Sequence, residues 1–367
     1  MTKMQLTYIK TIALAGLFIA GTAYAACPAD VSTLAPGTWC AVSNSNMRSV
    51  GFNWPAGTDY SKNGLGVDAV ISTWSGGAYD TKRDRLIVWG GGHFAYGGNE
   101  IYAFDVNALK WMRISDPSIP VAENTAHASD GGPVSRHSYD SIEYVSSIDR
   151  FCAFGIAGNY STGVELGAST DCFNFDTLSW ERKADATSYG IGAISDVDPV
   201  TGRVWVRGNN GYKGTFSEWD PVKNSWSLRI AQETDNTMYY KTGAIDPKRR
   251  KFVGVGGGDV YVWDIGTSGT IVRQNITTSG ASEIVNSKNA GFAYDSVSDR
   301  LVAWDSGANV YALNTDTWVW SLMTPASSNM GINMATTMIP ITPPTINITN
   351  GSINTPTREA KVSTLFS

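Results

Sequence analysis

Three features of the sequence predict an all-β fold built from repeated four-stranded units. Short apolar runs rich in β-branched and aromatic residues recur along the chain, separated by Gly, Asp and Asn. Five of these runs end in a similar anchor, and the anchors are 65, 53, 48 and 49 residues apart. Each anchor is followed by a turn and a further strand. A period of about 50 residues with four short strands per unit is typical of a β-propeller.

The five anchors are the ends of the predicted innermost strands. They are Tyr79-Asp80, Tyr144, Val197-Asp198-Pro199, Ile245-Asp246-Pro247 and Tyr294-Asp295. The next strand begins in each unit with a basic residue and an apolar one, at Arg85-Leu86, Arg150-Phe151, Arg203-Val204, Lys251-Phe252 and Arg300-Leu301. A four-stranded unit is too small to bury its own apolar faces, so we expect these units to stack as blades around a channel.

The first unit shows the internal order most clearly. Leu86–Trp89 ends at Gly90-Gly91-Gly92, and Ile101–Phe104 ends at Asp105. Glycines after a short β-rich run indicate a sharp bend or a close backbone approach. Asp105 is predicted to open a turn, because its carboxylate can accept hydrogen bonds from backbone N–H groups two residues on.

A tryptophan follows the third strand in four of the five units. These residues are Trp111, Trp180, Trp226 and Trp320, and the fourth unit, which ends in GTSGTIVRQN, lacks the tryptophan. We interpret the repeated Trp as a side chain that fills the space between blades.

With the GGG break, the Tyr/Phe-Asp pair and the downstream Trp, residues 68–323 resemble the kelch repeats of galactose-oxidase-like propellers. The resemblance implies a kelch-type β-propeller, a fold that hosts many unrelated functions. The copper oxidase of that group uses two His and two Tyr, with a Cys bonded to one Tyr. This chain has three His in all, so the resemblance does not extend to the copper-oxidase residues.

The predicted number of blades is six, with an incomplete or divergent closing blade. Residues 37–42 look like an isolated outer strand, and in such propellers an N-terminal strand often completes the last blade. After Met323 the chain has no Gly-rich strand pair, which indicates a divergent closing blade or a truncated or frame-shifted product. The predicted organisation is a signal peptide (1–25), an N-terminal segment with the closing strand (26–66), five kelch-like blades (67–323) and a divergent or disordered tail (324–367).

The N-terminal residues predict export. Lys3 and Lys10 precede an apolar run, and Ala23-Tyr24-Ala25 supplies small residues at a cleavage site, which is the pattern of a secretory signal peptide. A lipoprotein signal ending at Cys27 is the alternative. We therefore expect a secreted protein, extracellular or periplasmic, without a membrane span. Four cysteines in an exported chain favour two disulfides, and the preferred local pairing is Cys27 with Cys40 and Cys152 with Cys172.

Charge limits the classes of partner. The formal net charge is −5, and it becomes −7 without the two lysines of the signal peptide. An acidic chain without a basic run is a poor binder of nucleic acid or of an anionic membrane. The predicted partner is a carbohydrate, most readily a polysaccharide, bound by a monomer. No cofactor is predicted, and no motif supports a structural Ca²⁺.

Propeller topology sorts the loops into two faces. The loops that enter the innermost strands and the loops between second and third strands share one face, and the candidate residues lie there. The candidate catalytic residues are His93, Tyr96, Arg136, His137 and Tyr139; the candidate substrate-binding residues are Trp74, Tyr160, Asn209, Tyr212, Tyr240 and Lys241. His127 lies in the long connection Ser115–Val134, which enters the same face; long loops of this kind are often binding loops.

These residue types suit sugar recognition, because the apolar face of a pyranose stacks on aromatic rings while amides and cations bind its hydroxyls. The enzymatic alternative is a polysaccharide lyase that acts by β-elimination on a uronic-acid polymer. In that reaction Arg136 or Lys241 neutralises the carboxylate, His137 or His93 is the base, and Tyr96, Tyr139 or Tyr240 is the acid. A protein–protein interaction module is the third hypothesis.

Overall fold

The computed structural model describes residues 26–30, 33–34, 39–43, 45–51, 66–73, 76–91, 95–119, 124–158, 165–185, 192–210, 213–233, 238 and 240–323. They form five antiparallel sheets of four strands, and within each sheet the strands lie side by side in chain order. Blade one contains β1 (Gly77–Asp80), β2 (Arg85–Val88), β3 (Tyr102–Asp105) and β4 (Lys110–Arg113); blade two contains β5 (Ile142–Val145), β6 (Arg150–Gly158), β7 (Glu165–Asn174) and β8 (Ser179–Arg182); blade three contains β9 (Ile194–Val197), β10 (Val204–Asn210), β11 (Lys213–Asp220) and β12 (Ser225–Glu233).

Blade four contains β13 (Thr242–Asp246), β14 (Lys251–Gly256), β15 (Asp259–Asp264) and β16 (Gln274–Asn275); blade five contains β17 (Gly291–Asp295), β18 (Arg300–Trp304), β19 (Val310–Asn314) and β20 (Val319–Leu322). Two short α-helices accompany them, α1 (Ala69–Ser72) before blade one and α2 (Ser282–Asn286) before blade five. Three 3₁₀ turns lie at Met47–Val50, Gly66–Asp68 and Ser146–Ile148.

The first strands of the five blades surround one central channel. A small cavity of about 40 Å³ at one end of the channel is lined by all five anchor residues of the repeat: Tyr79, Tyr144, Val197, Ile245 and Tyr294. The structure is therefore a β-propeller, and the predicted all-β class is confirmed. The sequence repeat marks the point at which the innermost strands meet.

The predicted number of blades is wrong, because the described residues form five blades and not six. Residues 37–42 were expected to be an outer strand, and their described part, 39–42, makes only one isolated bridge, between Ala26 and Ala41. The C-terminal residues 324–367, expected to supply the rest of a sixth blade, lie outside the described residues.

The N-terminal segment instead fills the seam between the last blade and the first. Trp39 is buried against Trp304 of blade five, with ring centroids 5.8 Å apart, and its indole N–H donates to Ala308 O. On the other side, Val42 and Met47 belong to the apolar cluster of blade one. Side chains of this segment therefore fill the seam between blades five and one by packing, where an outer strand was predicted.

The cores lie between neighbouring blades, as expected for blades that cannot bury their own faces. Trp180 of blade two packs on Trp89 of blade one at 5.2 Å between ring centroids. The ring of Trp226 in blade three lies 6.0 Å from that of Phe154 in blade two, measured between centroids. These contacts agree with the interpretation of the repeated Trp as a spacer between blades.

Both predicted disulfides are present, Cys27–Cys40 and Cys152–Cys172. Cys152 and Cys172 are directly opposite each other on β6 and β7, so this bridge joins neighbouring strands of one hairpin. Cys27–Cys40 ties the start of the described chain to the segment that carries Trp39. Over the residues that the structure describes, no helix has the length and apolar character needed to cross a membrane.

Candidate functional site

The two ends of the propeller have different connections. We call the loop face the end formed by the loops between second and third strands and by the connections that enter each first strand. We call the turn face the opposite end, formed by residues 81–84, 146–149, 198–203, 247–250 and 296–299 and by the turns between third and fourth strands. The sequence predicted its site residues on the loop face.

Several of these predicted residues cannot be placed. Trp74, His93, Tyr160 and Tyr212 lie outside the described residues. Asn209 lies in β10, opposite Gly214, and only its backbone is described.

Arg136 is at the centre of a buried charged cluster. Its Nη2 lies 2.7 Å from Asp171 Oδ2, and both side chains are 1% exposed. His127 Nε2 lies 2.6 Å from the other oxygen of the same carboxylate, Oδ1. Ser169 Oγ donates at 2.6 Å to Oδ2, the oxygen that Arg136 binds. Burial alone would raise the pKa of the Asp171 carboxyl, but the hydrogen bond from His127 and the charge of Arg136 outweigh it and bring the pKa to about 2.

This cluster attaches the long segment between β4 and β5 to blade two. His127 comes from the segment between β4 and β5, whereas Asp171 is on β7. Arg136 therefore already has a carboxylate partner inside the protein. The sequence pointed to His127 through its long loop, but nothing in the sequence indicated that Asp171 is its partner, since the two residues are 44 positions apart.

Tyr96 is a buried hydrogen-bond donor in blade one. Its side chain is 0% exposed, and its hydroxyl donates to Glu100 Oε1 at 2.6 Å. The Tyr102 hydroxyl donates to the same oxygen at 2.7 Å. Burial raises the pKa of the Glu100 carboxyl. The Tyr96 hydroxyl is thus hydrogen-bonded to a buried carboxyl group whose pKa is raised.

His137 and Tyr139 lie together at the joint between blades one and two. Both are half-buried, and their rings meet edge to face with centroids 5.8 Å apart. Tyr139 has a left-handed backbone (φ 45°), and its carbonyl oxygen approaches Gly76 so closely that a Cβ there would clash. The glycine before β1 is thus needed for the two blades to meet at this point.

Lys241 is buried beneath the loop face of blade four. Its Nζ lies 2.5 Å from Gly256 O and 3.3 Å from Asp259 Oδ2, and its side chain is 1% exposed. The Tyr261 hydroxyl donates to the same Asp259 oxygen at 3.2 Å. The second predicted cation of the site therefore also has an internal carboxylate partner.

Tyr240, the residue before Lys241, is exposed instead of buried. It is 44% exposed, more than any other aromatic residue in the described part of the chain. Its ring packs beside Gly257, and Lys288 Nζ lies 4.4 Å from the ring centroid. Gly256 has φ 130°, and a Cβ there would clash with the Tyr240 carbonyl oxygen, so the glycines of this hairpin allow the loop to lie against Tyr240.

A polar groove of about 340 Å³ opens next to this hairpin, between blades four and five. Gly257 N donates to Ser287 O and Gly258 N donates to Val285 O, which attaches one wall of the groove to the end of α2. The lining is mainly amides, hydroxyls and one carboxylate: Asp259, Asn275, Thr277, Thr278, Ser279, Ser282 and Asn286, together with Gly258, Val260, Ile276, Gly280 and Val285.

The groove was not predicted, although the sequence contained a signal for it. The fourth unit lacks the downstream Trp, and its outer strand β16 is only two residues long. Asn275, the last residue of β16, lines the groove. The chain then continues through hydroxyl-bearing residues 277–279 instead of through a full outer strand, and this leaves the space open.

The described residues contain no group of three or more His, Cys, Asp or Glu side chains arranged to hold a metal ion. What the loop face offers chemically is an exposed aromatic ring, Tyr240, and a groove of hydrogen-bonding groups, which are connected through the Gly257-Gly258 hairpin. Compared with models of known protein families the sequence has no match, and compared with curated proteins it has none either.

Proposed function

We propose that this protein recognises a glycan at its loop face, with the groove between blades four and five as the binding site. The observation that carries the proposal is the exposed Tyr240 ring packed against Gly257, the chain neighbour of Gly258 in the groove lining. An aromatic face next to amides and hydroxyls matches a sugar, which has an apolar ring face and a hydroxyl-rich edge.

The groove has the composition that a hydroxyl-rich ligand needs. Asn275 and Asn286 supply amides that both donate and accept hydrogen bonds, and Ser279 and Ser282 supply hydroxyls. The volume of about 340 Å³ lies at the lower end of the range for small-molecule sites, which suits one or two sugar rings of a longer chain.

Binding to soluble polysaccharides tests the proposal directly. Electrophoresis in native gels that contain a neutral or an anionic polysaccharide should show retardation with at least one polymer. Tyr240→Ala should lose most of it, because an aromatic platform contributes strongly to such contacts. Val297→Ala, at an exposed position of the turn face, is the control and should bind normally. A protein that passes every gel unretarded does not recognise these glycans.

A polysaccharide lyase is the second candidate, and the contact between His137 and Tyr139 favours it. These two residues provide a base and an acid within 5.8 Å between ring centroids. The pairing of Arg136 with Asp171 and of Lys241 with Asp259 weighs against it, because neither cation is left to neutralise a substrate carboxylate.

The lyase hypothesis has its own test. Incubation with uronate polymers should produce an unsaturated, ultraviolet-absorbing product, and His137→Ala should abolish that product. Binding that survives His137→Ala but is lost in Tyr240→Ala supports recognition without catalysis. Binding only to another protein would favour an interaction module.

We also infer that the propeller is of the kelch type, secreted and monomeric. The kelch assignment is supported by five four-stranded blades that share the anchor, by the downstream Trp in four of them, and by the glycine break of the first. Export is supported by the two disulfides, which persist in oxidising compartments. Mass spectrometry of the mature exported protein would give its N-terminus and would separate the signal-peptide and lipoprotein alternatives.

A further inference from the structure

We infer that the groove between blades four and five selects an uncharged saccharide and rejects uronic-acid and sulfated polymers. This inference rests on the proposed glycan recognition at the same groove. It follows from the charge that the groove presents to a ligand, and it is opposite to the uronic-acid substrate that the lyase alternative requires.

Asp259 is the only ionisable side chain in the groove lining given by the described residues. It is 42% exposed and lines the groove, so a bound ligand would lie close to its carboxylate. Lys241, which would be needed to attract an anion, is 1% exposed, is not part of the lining, and is held by Gly256 O and Asp259. An anionic sugar entering the groove would therefore meet a negative group first.

The hydrogen-bonding capacity of Asp259 suits a sugar diol. Its Oδ2 is engaged by Lys241 and by the Tyr261 hydroxyl, at 3.3 and 3.2 Å. These two donors fix the orientation of the carboxylate, and its exposed part remains on the groove side. A carboxylate accepts hydrogen bonds only, and sugar hydroxyls can donate to it.

Three other charged groups lie near this region, and none reverses the sign at Asp259. Arg273 lies over the Tyr261 ring, at 4.3 Å from its centroid, is 3.8 Å from a Glu233 carboxylate oxygen, and is not part of the groove lining. Lys288 places its ammonium over the Tyr240 ring, at 4.4 Å, and is not part of the groove lining. Glu283 of α2 accepts a hydrogen bond from the Tyr311 hydroxyl and adds a second carboxylate nearby. The carboxylate in the lining is thus the group that sets which saccharides enter.

The test compares neutral with anionic polymers on the full protein. Native gels that contain a mixed-linkage β-glucan, a galactomannan or a xylan represent uncharged ligands. Polygalacturonate, alginate and carrageenan represent anionic ones, at equal low ionic strength because salt screens such effects. We expect retardation by at least one neutral polymer and none by the anionic ones. Equal or stronger binding of an anionic polymer overturns the inference while leaving glycan recognition intact; no binding to any polymer overturns both.

Two substitutions assign the selectivity to the groove. Asp259→Asn should weaken binding of the neutral polymer by about tenfold, because a charge-assisted hydrogen bond is lost. It should also allow measurable binding of polygalacturonate, because Lys241 is no longer neutralised. Asn286→Lys adds a cation to the lining without touching Lys241, and it should likewise admit polygalacturonate. If both variants fold and neither binds the anionic polymer, charge does not set the selectivity.

Blade four provides a matched control. Asp264 lies at the other end of β15, is 46% exposed, and pairs with Lys251 at 2.7 Å. Asp264→Asn changes the same strand, the same residue type and a similar ion pair, but on the turn face. It should leave polymer binding unchanged; a loss equal to that of Asp259→Asn would show that stability, and not the groove, was altered.

Discussion

The turn face and the loop face of this propeller differ in how their charged residues are used. On the turn face one arrangement occurs twice: Arg83 of blade one forms two hydrogen bonds to Asp149 of blade two, at 2.8 and 2.9 Å. Arg249 of blade four does the same with Asp299 of blade five, at 2.9 and 3.1 Å. Each of these two Asp carboxylates also accepts one hydrogen bond from a lysine and one from a tyrosine hydroxyl. These pairs join adjacent blades.

The charged contacts of the loop face differ more from blade to blade. Blade one has Glu100 with two tyrosines, blade two has Asp171 with Arg136 and His127, and blade four has Asp259 with Lys241. The residue types differ, although in blades two and four the cation also donates to the carbonyl oxygen of a second-strand glycine, Gly155 or Gly256. Because the turn face and the inter-blade cores already hold the ring together, the loop face can differ from blade to blade. This is where a binding site can be placed without loss of the fold.

The largest expected effect measures how much the buried Asp171 cluster of the loop face contributes to the free energy of unfolding. Asp171→Ala leaves the Arg136 guanidinium buried without its carboxylate and releases His127, so the free energy of unfolding should fall by about 3–5 kcal/mol. Urea unfolding followed by tryptophan fluorescence measures it. Asp264→Ala is the control, because its partner is partly exposed and the loss should stay below about 1 kcal/mol. A near-normal urea midpoint for Asp171→Ala would mean that the loop connection does not depend on this cluster.

The second effect tests the equivalence of the turn-face pairs. Arg249→Ala removes contacts to Asp299, Asp246 and Asp316 and should cost about 2–3 kcal/mol, since hydrogen bonds between charged groups are lost at a side chain that is 17% exposed. Arg83→Ala should cost a similar amount. Glycan retardation should be normal in both variants at a temperature where they remain folded. Reduced binding would show that the two faces are not independent.

The pH dependence of stability provides a third test. The hydrogen bond from Arg83 holds the pKa of Asp149 well below its usual value, and that from Arg249 does the same for Asp299. A carboxyl whose pKa is lowered by folding contributes stability above its unfolded pKa, near 3.8, and loses it as the pH falls toward the folded pKa. Thermal unfolding from pH 7 to about pH 2 should therefore show acid destabilisation below about pH 5.

The double variant Asp149→Asn/Asp299→Asn isolates this contribution. It should be less stable than the wild type at pH 7, by about 1 kcal/mol per site, and this difference should shrink as the pH falls from about 5 to about 2. Asp171 also has a lowered pKa, but it is present in both proteins and cancels in the comparison. Parallel pH profiles would show that the turn-face pairs contribute little.

The smallest expected effect concerns the turns themselves. Leu178 ends the turn between β7 and β8 and has a left-handed backbone, with φ 51°. Because its side chain is 58% exposed, packing contributes little to offset this backbone strain. Leu178→Gly should raise the unfolding free energy by up to about 1 kcal/mol. Leu109 has the same φ but packs on the core of blade one, so Leu109→Gly should not stabilise. Thermal unfolding of the two variants side by side makes the comparison.

The turn face was the part most accessible to prediction. Asp105 was expected to open a turn through bonds to backbone N–H groups, and its Oδ1 accepts from Asn107 N and Ala108 N at 2.9 and 2.7 Å. The anchors, the disulfide pairs and the inter-blade Trp were predicted for a similar reason. Each depends on residues that are close in sequence or that recur with the blade, so local chemistry and periodicity are enough to identify them.

By itself, the sequence determined the strand pattern, the stacking of small blades and the pairing of the cysteines, because these follow from short-range spacing and from the need to bury apolar faces. Only the tertiary structure decided that the ring has five blades, because Trp39 plugs the seam by packing instead of by strand pairing. It also decided that Arg136 and Lys241 are neutralised from within and that a groove opens behind the two-residue strand β16. Those features depend on which distant side chains meet, and no local rule specifies that.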